Sequence, residues 1–148
     1  MNDVSQSFSR RLLPEDYQAL GAFRDALRRF LRFSEAGAEA LGLTPQQHQA
    51  MLVIHAHPGE EPISVGQLAE RLMIKNHSAV GLVARLQERG LVTRETSAED
   101  RRRVLLKLTP KAQEQLELIS RNNLRELKSN ATVFNDLLAT LQRIEERR

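Results

Sequence analysis

The side chains whose types and spacing could do chemistry are gathered between Ser64 and Lys107. Asp100-Arg101-Arg102-Arg103 sets three guanidinium groups beside one carboxylate in a short polar stretch. Guanidinium forks match phosphate oxygens and base edges, and a carboxylate can orient one fork through a charge-assisted hydrogen bond. Upstream, His77, Ser78, Gly81, Arg85 and Glu88 recur at helical spacing, small and polar at first and charged further along. A helix enters a DNA major groove when its leading residues are not bulky and can hydrogen-bond base edges. Lys75 and Asn76 lead into that segment, and Arg94 adds a cation between it and the arginine run. Ser64 and Gln67 offer polar groups for a nucleic-acid backbone. From Ser64 to Lys107 nine Lys/Arg face five Asp/Glu, a local charge of +4, while the rest of the chain is −1. Concentrated positive charge is the footprint of a nucleic-acid face; a solvated basic surface is the competing explanation.

Other chemistries find little support. The chain has no cysteine, so disulfides, thiol redox sensing and thiolate zinc sites are excluded. His48 and His55 lie two helical turns apart and His57 follows in a breaker segment, which is no convergent set of zinc ligands. No nucleophile elbow, phosphate loop or zinc-hydrolase motif occurs. An enzyme, a cofactor and a metal site are therefore not expected. No apolar run approaches the roughly 20 residues of a bilayer span, and Met1 to Arg11 are polar, without the apolar core of a leader. A cytoplasmic protein is the expectation.

The elements that must position these residues are mostly helices. Leu20, Phe23, Leu27, Phe30 and Leu31 form one apolar stripe on a first helix from about Pro14 to Leu41, closed by Gly42. Thr44, Pro45 and Gln47 make a capping box that opens a second helix, which the segment 57–62 ends. Ser64 and Gln67 repeat the box for a third helix with Val65, Leu68, Ala69 and Leu72 on its apolar face. Asn76 is the expected N-cap of a fourth helix that Gly90 stops. On that helix the spacing assigns Val80, Val83 and Leu86 to the core. Gly81 is informative, because glycine in a helix interior costs about 1 kcal/mol relative to alanine. Close approach to DNA would explain it; a tolerated surface glycine is the alternative. After Gly90 the period changes to two, and residues 91–95 and 104–108 read as a hairpin. Thr109-Pro110 then starts a fifth helix to about Ser129. A sixth follows with Phe134, Leu137, Leu138, Leu141 and Ile144 on one stripe.

Two short helices, a tight connection and a hairpin with a basic tip define a winged helix-turn-helix. The fold class is mainly α with a small β-hairpin wing. A wing-tip arginine can enter a narrow minor groove, and of three consecutive arginines at most two can face a duplex. The stretch 64–111, with SVGQLAERL, NHSAVGLVARLQERGLVTRE and DRRRVLLKLTPKA, resembles the MarR family of bacterial regulators. FRDALRRFLRFSE and LTPQQHQAML extend the resemblance to roughly residues 14–128.

The resemblance implies one MarR-like domain over 1–148. Residues 44–108 would form its DNA-binding lobe, and residues 14–42 and 110–147 its dimerisation helices. It maps the wing pattern Asp-x-Arg onto Asp100 and Arg102, making Arg102 the minor-groove arginine. It implies a homodimer on a near-palindromic operator, acting as a repressor, and the apolar stripes supply Leu20, Phe23, Leu116, Ile119, Phe134, Leu137, Leu138 and Leu141 as candidate seam residues. It also implies a small aromatic or phenolic effector, with Tyr17, Arg28, His48 and His55 as candidate pocket residues. The chain departs from the family at Gly81, where relatives usually carry a larger polar residue. A winged-helix protein–protein adaptor is the rival reading, since a fold does not fix a function. An adaptor has no use for three arginines beside a small polar helix face.

Overall fold

A computed structural model describes residues 11–146 of the chain. Residues 1–10, and residue 147 of the expected 110–147 region, lie outside the described residues. The element order is α1 (Pro14–Ala40), α2 (Pro45–His55), α3 (Val65–Leu72), α4 (Asn76–Glu88), β1 (Val92–Thr96), β2 (Val104–Leu108), α5 (Pro110–Ser129) and α6 (Ala131–Glu146). The chain divides into two compact units. One, the lobe, is Ser34–Asn122; the other, the helical unit, comprises the residues up to Phe33 and from Asn123 onward.

Within the lobe, the local signals hold. The Thr44 hydroxyl accepts from Gln47 N–H at 3.1 Å while Thr44 N–H donates to Gln47 Oε1 at 3.1 Å. Ser64 and Gln67 repeat this reciprocal pair at 3.2 and 3.0 Å. Each box satisfies amides that a helix start leaves without intrahelical partners. Gly42 and Gly90 adopt φ of 75° and 70°, the left-handed conformation that lets a helix end without a Cβ clash. Met73 adopts the same left-handed region at the end of α3, with φ 54°, although it carries a Cβ.

The two strands pair antiparallel, with Val92 opposite Leu108 and Thr96 opposite Val104. Ser64 makes an isolated bridge to Leu105, and Leu106 N–H donates to Ile63 O at 2.9 Å, so the wing base is tied to the residues that open α3. Leu43, Met51, Ile63, Leu68, Leu82, Leu86, Leu91 and Leu106 are the large side chains at the centre of the core.

Three sequence expectations are corrected here. Lys75, not Asn76, is the N-cap of α4, and its side chain makes no capping bond; Asn76 is the first helical residue. Val80 does not face the core: it is 43% exposed, and Ala79, Leu82, Val83 and Leu86 are the buried residues of α4. A strict step of three drifts around a helix of 3.6 residues per turn, whereas i, i+3, i+4, i+7 stays on one face. Leu116 and Ile119 are buried at 3% and 2% in the lobe's own core with Ala112, so their surface is already spent within the chain and is not free for a seam.

In the helical unit, Leu13 N–H donates to Asp16 Oδ2 at 2.8 Å at the start of α1. Phe23 and Phe134 pack edge to face, with centroids 5.9 Å apart. Leu20, Leu138 and Leu141 remain exposed, and Leu137 is half-buried.

Candidate nucleic-acid interface

The interface is built on the lobe from α3, α4 and the hairpin. A groove of about 330 Å³ is lined by Ser64, Val65 and Gly66 at the start of α3, by Asn76 and Val80 of α4, and by Arg94, Arg102, Arg103 and Val104 of the wing. The capping boxes and the β1–β2 register fix these side chains on rigid elements. His77, Ser78, Arg85 and Glu88 are exposed on α4, as their spacing required, and Gly81 lies between them, half-buried.

At the wing tip, Asp100 Oδ1 accepts from Arg102 N–H at 3.0 Å and from Arg102 Nε at 3.3 Å. The Arg102 side chain is nonetheless 93% exposed. The carboxylate thus holds the base of the guanidinium while its outer nitrogens face outward, available to a phosphate or a base edge. Arg101 is exposed beside it, and Arg94 is exposed on β1.

Arg103 behaves differently from its two neighbours. It turns back, with Nη1 at 3.4 Å from Glu61 Oε1 and Nη2 at 3.4 Å from Gln67 Oε1. Ser97, buried, donates to the same Glu61 oxygen at 3.4 Å and accepts from Asp100 N–H at 3.3 Å. Arg103 therefore anchors the wing to the start of α3, where a DNA contact was expected. Ser64 is likewise corrected: it is buried, with its hydroxyl serving the α3 cap. The Gln67 amide oxygen is shared between the Ser64 amide and Arg103, which leaves only its NH₂ for a backbone contact.

Arg89 also belongs to the framework, donating to Gly42 O at 2.5 Å and to Gln47 Oε1 at 3.0 Å. Sequence reasoning missed Val80 as a member of the exposed face and Glu61 as the hub of the wing anchor. Counting Ala79 as apolar would have moved Val80 outward. Nothing in local spacing pairs Glu61 with a residue 42 positions on.

The four candidate effector residues are dispersed over both units. Tyr17 and Arg28 are exposed on α1, with Arg28 paired to Asp25. His55 is exposed on α2, and His48 is buried. Burial holds the His48 imidazole below its ordinary pKa of 6.5 by disfavouring the charged form. Its Nε2 has no hydrogen-bond partner among the described residues. No group of three or more potential metal ligands occurs among the described residues, and no described helix is long and apolar enough to cross a membrane.

Two short successive helices, a hairpin tied to the capped start of the first, and an arginine held at the hairpin tip define a winged helix-turn-helix protein. Comparison with known proteins agrees. The model of the MarR family matches residues 41–103. A protein assigned as transcriptional regulator of the hcr operon in Thauera aromatica is 32% identical over 103 residues, 70% of this chain and 60% of that protein. The multiple antibiotic-resistance repressor MarR of Listeria monocytogenes is 28% identical, with TM-score 0.61, over 88% of this chain and 89% of that one. The S. aureus MepR–DNA complex shares the fold, with TM-score 0.66 and 17% identity over 85% of this chain and 95% of that one. Over residues 41–103 the chain is similar to the MarR family, a family of transcriptional regulators and not of enzymes. Its matches span about half to three fifths of the length of the curated relatives.

Proposed function

We propose that this protein is a cytoplasmic, sequence-specific regulator that binds double-stranded DNA through the lobe and acts as a homodimeric repressor on a near-palindromic operator. The observation that carries this reading is Arg102, held at its Nε by Asp100 yet 93% exposed at the wing tip. In this reading α4 enters the major groove, with Lys75, Asn76, His77, Ser78, Gly81 and Arg85 facing the duplex. Arg102 reaches into the adjacent minor groove, where negative potential is greatest. Arg94 and Arg101 add phosphate contacts that set register without reading sequence. The DNA-bound relative supports the geometry. The exposed leucines of the helical unit support a second copy as partner. A small aromatic or phenolic effector that releases the DNA is the extension drawn from the family resemblance, with Tyr17, Arg28, His48 and His55 as its candidate contacts.

The test is fluorescence anisotropy on duplexes selected from a random pool, at several salt concentrations. Arg102→Ala should weaken binding to every duplex and lower the magnitude of the salt slope by about one. His77→Ala and Ser78→Ala should instead change preference at particular base pairs, by about 1–3 kcal/mol for a good base contact. Unchanged affinity of Arg102→Ala for all duplexes would remove the wing assignment. A wild type without salt-dependent DNA binding would return the adaptor reading.

A further inference from the structure

The structure places on the α4 surface a residue that periodicity assigns to the core, and we propose that it reads sequence: Val80 contacts the methyl group of a thymine in the DNA major groove. The proposal rests on the DNA-binding reading above and names the base that this part of the site selects.

Val80 stands one turn after Asn76 on α4 and is 43% exposed, although an isopropyl group gains most from being buried. It lines the groove with Asn76 on its own helix, and Gly66, Arg94 and Arg102 belong to the same lining. Val65 and Val104 line it too, so Val80 belongs to an apolar strip rimmed by arginines. The next residue is Gly81. A Cβ built there would meet only the Arg85 Nη2 atom, at 3.6 Å, an ordinary contact. The fold therefore has no need of glycine at this position, and glycine weakens a helix interior. What the missing side chain does provide is room for the α4 backbone to approach a ligand closely. Valine is short, and only close approach of the backbone brings its methyl groups against a base edge.

The chemistry of the bases selects the ligand. In the major groove, thymine alone among the four bases presents a methyl group; the other edges present donors and acceptors. An isopropyl group set against a donor or acceptor removes its water and returns no hydrogen bond, which is unfavourable. Against a thymine methyl it buries apolar surface on both sides. The methyl also stands at the outer edge of the major groove, beside its own sugar–phosphate strand. Val80 occupies the flank of α4 between the buried row and the outward row of His77, Gly81 and Arg85, on the side that faces the wing arginines. A phosphate contact by Arg94, which shares that lining, would hold that strand in register.

The experiment uses the full-length protein and a duplex that it selects from a random pool. Each thymine is replaced in turn by deoxyuridine, which removes the methyl and preserves the pairing edge. Wild type should lose about fourfold in affinity at one thymine of each half-site, the factor that one buried methyl is worth. Val80→Ala should bind the thymine and deoxyuridine duplexes equally, and its thermal unfolding should match wild type or exceed it, since the position is exposed. Equal losses in both proteins, or a selected duplex with no methyl-sensitive thymine, overturn the inference and leave DNA binding intact. Absence of salt-dependent binding to any duplex overturns the DNA-binding reading, and this inference with it.

Discussion

Leu68, Leu82 and Leu86 of the lobe are buried to within 1% of completely, whereas Leu20 and Leu138 of the helical unit are 53% and 58% exposed. Both units carry amphipathic helices, α3 in the lobe and α1 and α6 in the helical unit. The lobe closes its core with its own residues, drawing in Ala112, Leu116 and Ile119 from the first half of α5. The helical unit pairs Phe23 with Phe134 and leaves Tyr17, Leu27, Leu31, Leu124 and Leu141 at its surface as well. An apolar stripe is thus completed within the chain in one region and left for another surface in the other. At about 25 cal/mol per Å² of apolar area, such a surface favours a partner that covers it.

The comparison can be broken most directly with two leucines. Leu82→Ala should lower stability by about 2–5 kcal/mol, the cost of a cavity in a closed core. Leu138→Ala should change the stability of the dilute, dissociated chain by no more than about 0.5 kcal/mol, while shifting sedimentation equilibrium toward monomer. Denaturant melts at low protein concentration and sedimentation read the two effects separately. Equal destabilisation by both changes, or unchanged association of Leu138→Ala, would erase the distinction between the units.

A smaller effect sharpens it inside the lobe, where the core and the proposed DNA-facing surface share one helix. Gly81→Ala should stabilise the protein by about 1 kcal/mol, because a helix interior prefers alanine and the added methyl meets only ordinary contact. The same substitution should weaken operator binding in anisotropy titrations. A stabilised variant with full affinity would make Gly81 a tolerated surface glycine.

The smallest expected effect is the pH dependence of the closed core. Burial lowers the His48 pKa below 6.5, so below that pH the unfolded chain binds the proton more readily than the folded one. The stability contribution is complete above the unfolded value and is lost as pH falls through it toward the folded value. Melting temperatures measured from about pH 7.5 to about pH 5.5 should fall more in wild type than in His48→Leu. Parallel slopes would place the pH response elsewhere in the chain.

Signals that act over three or four residues were legible in the sequence. The Thr44–Gln47 and Ser64–Gln67 boxes, the helix ends at Gly42 and Gly90, the change of period after Gly90 and the Asp100–Arg102 pair all join near neighbours. Local geometry alone therefore fixes them. Tertiary structure decided the rest. It buried Ala79 with Leu82, Val83 and Leu86 and left Val80 exposed, a choice that the sequence carried only in the small side chain of Ala79. It spent Leu116 and Ile119 on the lobe's core. It turned Arg103 from the wing tip to Glu61 and Gln67, 42 and 36 positions away. Arg102 and Arg103 are adjacent and alike in type, yet one is held outward and the other anchors the wing. Which does which depends on where the chain brings Glu61, a distance that spacing along the sequence does not encode.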